Sequence, residues 1–125
     1  MKPIVTSVEE LYDRKDGTGE ILLDEMAECL RKTRIIAVAD LAALMDVDAH
    51  QLNQAVRLLT GMTTRDVINR WRLLQAQELL RQGAVGEARE ERIRRLNAAA
   101  RRCGWRSYRV LLKVAHRYGV KLEIL

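Results

Sequence analysis

Four residues in the middle of the chain, His50, Gln51, Asn53 and Gln54, carry the hydrogen-bonding groups best suited to specific recognition, and Arg57 follows one helical turn later. The carboxamides of Asn and Gln can pair bidentately with adenine, and a guanidinium can pair with guanine or hold a phosphate. Such side chains on one helix face can read base edges in a major groove. Between them, Leu52, Ala55, Val56 and Leu59 recur at three- and four-residue spacing and are expected to hold the opposite face of the same helix inward. His50, Gln51, Asn53 and Gln54 are therefore the expected base-contacting set. Arg57, Arg65, Arg94, Arg95, Arg106, Ser107, Arg109 and Lys113 are the expected contacts to the phosphate backbone or to a second site.

A reading face of this kind needs a support. A short helix over Val38 to Met45, a turn at Asp46-Val47-Asp48 and a second helix stopping at Gly61 supply one. Asp48 has the chemistry of an N-cap, because its carboxylate can accept the unpaired backbone N–H groups of the following helix. This is the order of a helix-turn-helix, although helical hairpins that never meet DNA share the pattern.

Helical periodicity recurs on both sides. Residues 1–19 hold the only proline, the pair Glu9-Glu10 and the turn-like Asp16 to Gly19, and are read as an arm with a helical turn at Val8 to Tyr12. Ile21, Leu22, Met26 and Leu30 mark one face of a helix from about Glu20 to Arg34. Thr63 to Asp66 opens a long helix whose Val67, Ile68, Trp71, Leu74, Leu79 and Leu80 repeat up to Gly83, and Gly83 and Gly86 bracket a break. A fifth helix, Glu87 to Cys103, carries Ile93, Leu96, Ala99, Ala100 and Cys103 on an arginine-rich rod that ends at Gly104. The last helix, Ser107 to Tyr118, holds Val110, Leu111, Val114 and Ala115 inward, before a short tail. No segment alternates as a strand does, so the expected fold is all-α with six or seven helices.

Charge is unevenly spread. The 125 residues carry a net charge of +5, but residues 1–40 total −3, residues 41–80 are neutral and residues 81–117 total +8. A basic third of this kind suits an anionic partner. Cys29 and Cys103 have no second ligand at metal spacing and read as small buried hydrophobes. Trp71 and Trp105 read as core anchors, and His116 as a surface or partly buried side chain. Neither Glu9-Glu10 nor Glu90-Glu91 is a facing carboxylate pair, and no glycine-rich phosphate loop is present. The expectation is a non-enzyme without metal or cofactor. No apolar run approaches membrane-spanning length and no secretory signal opens the chain, so the expected location is cytoplasmic.

Val38-Ala39-Asp40-Leu41-Ala42-Ala43-Leu44-Met45-Asp46-Val47, then Leu52, Thr60-Gly61-Met62-Thr63, Asn69-Arg70-Trp71-Arg72-Leu73 and Ala76-Gln77-Glu78-Leu79-Leu80, resemble the DNA-binding domain of the AraC/XylS family of bacterial transcription regulators. The register from Val47 through Gly61 to Leu80 follows the family pattern without a gap. The resemblance implies two helix-turn-helix subdomains joined by a long linker helix, with two recognition helices in successive major grooves. It also places His50, Asn53 and Gln54 at the family's base-contacting positions. Leu96 to Trp105 resembles the second motif, and Arg117-Tyr118-Gly119-Val120 resembles the close of the second recognition helix. The chain departs from the family in about nine extra residues before Gly104, a turn after Trp105 shortened to Arg106-Ser107, an apolar last helix and a missing final proline.

These readings divide the chain into an arm (1–19), a first helix-turn-helix (20–64), a linker helix (65–82) and a divergent second helix-turn-helix (83–125). The expected activity is sequence-specific binding of double-stranded DNA by a monomer or weak dimer, with the first recognition helix, about residues 49–60, in a major groove. Two alternatives remain open from sequence. One is a protein-interaction module that docks a partner through the C-terminal helix, and the other is a nonspecific nucleic-acid binder.

Overall fold

The computed structural model describes residues 3–81 and 88–122. Within them the chain is all-α, with seven helices and no strand: α1 (Val8–Asp13), α2 (Ile21–Lys32), α3 (Val38–Leu44), α4 (Ala49–Thr60), α5 (Thr64–Leu80), α6 (Arg89–Arg102) and α7 (Tyr108–Arg117). The expected break at Gly83 and Gly86 lies outside the described residues.

The chain divides into two compact units, Met1–Trp71 and Arg72–Leu125. The division falls inside α5. Val67, Ile68 and Trp71 of its first half are buried in the first unit, whereas Leu73, Ala76 and Leu80 of its second half are buried in the second.

In the first unit the segment from Ile4 to Leu11 is docked. Val5, Val8 and Leu11 are buried, and the Ile4 N–H donates to the Leu59 carbonyl at 2.8 Å. Ser7 caps α1 by accepting from the Glu10 N–H. Trp71 gathers three helices as an anchor: Tyr12 meets it edge-on at 4.9 Å between centroids, and the Arg31 guanidinium lies 5.2 Å from its ring.

On α2 the buried face differs from the expected one. Leu23, Met26, Ala27 and Leu30 are buried, while Leu22 is half-buried and Ile21 is 81% exposed. The physical reason is the cap. Glu20 accepts the Leu23 N–H at 2.9 Å, which makes Ile21 the first helical residue and turns it to the outside.

The α3 to α4 connection closes by two hydrogen bonds, from the Val47 N–H to the Ala42 carbonyl and from the Asp46 N–H to the Ala43 carbonyl. Asp46 sits between them at φ 56°, the only non-glycine residue with positive φ among the described residues. This is a Schellman closure, in which a left-handed residue satisfies carbonyls that the helix end leaves open. The end of α6 repeats it with Gly104 at φ 99°, as Trp105 donates to Ala100 and Gly104 to Arg101. Four residues, 45–48, separate α3 from α4, and five, 103–107, separate α6 from α7, so the second turn is the longer of the two.

In the second unit Leu73, Ala76, Ala100, Cys103, Trp105, Leu111, Val114 and Ala115 form one core cluster, and Leu80, Leu96 and Ala99 form another. Trp105 is 4% exposed, in keeping with its reading as an anchor.

Candidate nucleic-acid interface

α4 is held to its unit by Leu52 and Val56, with Ala55 and Leu59 half-buried beside them. Asp48 accepts the Gln51 N–H at 3.1 Å and caps the helix start, and Gly61 ends the helix in the left-handed region. His50, Gln51, Asn53, Gln54 and Arg57 are all exposed. At about 100° per residue, His50, Asn53, Gln54 and Arg57 share one stripe, with Gln51 and the exposed Leu58 along its edge. The four carboxamide and imidazole groups expected to read bases are thus all open to solvent on one helix.

Beside Asn53 and Arg57 lies a recess of about 360 Å³, lined also by Val38, Thr63, Thr64 and Arg65. It brings together Arg57 and Arg65 at the start of α5, where the Thr63 hydroxyl accepts the Asp66 N–H at 3.1 Å. Thr64 is fully buried, and its hydroxyl has no hydrogen-bond partner.

In the second unit α7 turns its apolar residues inward. Leu111, Val114 and Ala115 are buried and Val110 packs against them, so the residues that suggested a protein-docking helix belong to the core. The outward residues are Arg109, Lys113, His116 and Arg117, all exposed and uninterrupted by an acid. Arg109 and Lys113 are among the phosphate contacts expected from the sequence, and His116 and Arg117 follow them by one helical turn. Arg106, in the turn before α7, is exposed as well.

The three remaining expected contact residues are placed differently. Ser107 occupies the N-cap position of α7 without a capping side-chain bond, and the Asn97 Oδ1 on α6 accepts the Tyr108 N–H instead, at 3.0 Å. Arg95 is partly buried and donates to the Leu80 carbonyl at 3.0 Å, closing the end of α5. Arg94 is exposed but paired with Glu91 at 2.5 Å.

Neither thiol is shifted towards its thiolate form. Burial raises Cys29 above the ordinary thiol range and pushes Cys103 up to about 11. Burial also lowers the fully buried Arg72 to about 10, which leaves it charged at neutral pH, with a hydrogen bond to Gln75 at 2.8 Å. No group of three His, Cys, Asp or Glu residues among the described residues could hold a metal. No helix among them is long and apolar enough to cross a membrane.

Comparison of the chain with family models, curated proteins and solved structures gives no match.

Proposed function

We propose that the chain binds double-stranded DNA sequence-specifically, as a bacterial transcription regulator of the type its first motif resembles. In this reading α4 enters a major groove and His50, Gln51, Asn53 and Gln54 meet base edges. Arg57 and Arg65 hold the flanking backbone, and the exposed basic face of α7 holds further phosphates. The observation that carries the reading is the division of labour on α4. Leu52 and Val56 are buried while every candidate reading residue is exposed, directly after a capped turn. A recognition helix has to be anchored on one side and polar on the other.

The second unit contributes differently. The exposed face of α7 offers four basic residues and no carboxamide, which suits phosphate contacts more than base reading. Selecting bound duplexes from a random library tests the proposal. Enrichment of a sequence motif supports it. Binding without enrichment but with a steep salt dependence leaves a nonspecific binder, and no binding at low salt rejects DNA as the partner.

A further inference from the structure

We propose that the recess between α4 and the start of α5 is a seat for a single tetrahedral oxyanion, filled in the complex by one phosphodiester of the DNA backbone. The inference rests on the DNA-binding reading for its occupant, and on the geometry of the recess for the site itself.

Four features meet there. Arg57 and Arg65 both line the recess, both are exposed, and neither has an ion-pair partner among the described residues. Two arginines on one recess, with no carboxylate among its lining residues, concentrate positive charge there and suit an anion. The recess also takes in Thr63 and Thr64, at the beginning of the 17-residue helix α5. The first backbone N–H groups of a helix have no acceptor inside it, and the helix dipole favours negative charge at that end. Thr63 meets one of these groups, the Asp66 N–H, through its hydroxyl. Those of Thr64 and Arg65 lie nearer the helix start.

Thr64 supplies the independent observation. It lines the recess, it is 0% exposed, and its hydroxyl is one of only two buried side-chain polar atoms without a partner among the described residues. A buried hydroxyl without an acceptor is costly and uncommon, so its presence under a doubly cationic recess marks a place short of an acceptor. Phosphate oxygens are acceptors only. Asn53 lines the recess and also belongs to the reading stripe of α4, so a phosphate held here would fix how α4 sits over the bases.

The test uses the whole chain labelled with nitrogen-15 and titrated with inorganic phosphate, against chloride at matched ionic strength. Saturable shifts of the Thr64 and Arg65 amides are expected, ahead of any in α7, and are expected to disappear in Arg57→Gln/Arg65→Gln. The same double variant should bind every duplex about tenfold more weakly, with a salt slope smaller by roughly 1, because the one lost phosphate contact removes about 0.9. Amides of α5 that respond no more than those of α7 would overturn the seat even if DNA binds. A saturable phosphate response in a chain that binds no duplex would keep the seat and reject the DNA reading.

Discussion

The Oδ1 of Asn97, midway along α6, accepts the first backbone N–H of α7, that of Tyr108, at 3.0 Å. A helix start is usually capped by the residue just before it, but here Ser107 makes no capping bond and the cap arrives from the neighbouring helix. The bond therefore ties the orientation of α7 to α6 as well as satisfying a donor. Asn97→Ala is expected to lower stability by about 1 kcal/mol, whereas Ser107→Ala should be nearly neutral. Denaturant midpoints of the two variants check this, and equal losses would contradict the assignment.

Asp46 is held at φ 56° by the closure of α3. The left-handed region costs an ordinary L-residue roughly 1–2 kcal/mol, less for Asp than for most, and glycine avoids that cost. Asp46→Gly should raise the melting temperature by a few degrees, as Gly104 at the matching position of α6 suggests. Asp46→Val should lower it. A glycine variant no more stable than the valine variant would show that the turn does not require this conformation.

The Asp24 carboxylate accepts from the Thr18 N–H at 2.7 Å, the Thr18 hydroxyl at 2.8 Å and the Gly19 N–H at 3.1 Å, which ties the loop before α2 to the helix. The Thr18 backbone bond is the largest cause that lowers its pKa below the ordinary 3.8. A carboxylate with a depressed folded-state pKa contributes stability above its unfolded value and loses it as pH falls through the folded one. The stability difference between the wild type and Asp24→Asn should therefore be constant from neutral pH down to about 5 and shrink below about 4. Thermal melts across that range measure it. A difference that grows on acidification would give the opposite sign.

Arg109 and Lys113 lie on the exposed basic face of α7. Replacing both by Gln should weaken every duplex alike and reduce the slope of log affinity against log salt by roughly 2. A selective loss on one preferred sequence would instead make α7 a reader of bases.

Much of the architecture was legible in the residues. The apolar spacing of Leu52 and Val56, the capping chemistry of Asp48 and the stop at Gly61 located α4, because each acts within a few residues. Ile21 lies off the buried face that periodicity predicts, because Glu20 caps the helix and places Ile21 at its exposed start. The apolar Val110 to Ala115 run looked like a departure from a recognition helix until burial separated it from Arg109, Lys113, His116 and Arg117. Arg95 on the Leu80 carbonyl, Asn97 on the Tyr108 N–H and the recess around Thr64 join residues from different helices or opposite ends of a turn, and spacing along the chain carries no signal for them.

The central claim is that α4 reads bases, and its most direct measurement is the affinity ratio between a selected duplex and its scrambled counterpart, for the wild type and for His50→Ala/Gln54→Ala. Both residues are exposed and make no packing contribution comparable to that of Leu52 or Val56, so the variant should fold normally. The account predicts that the ratio collapses towards one because binding to the selected duplex weakens by about 1–3 kcal/mol per lost base contact, while binding to the scrambled duplex is preserved. An unchanged ratio in a folded variant would contradict base reading by α4.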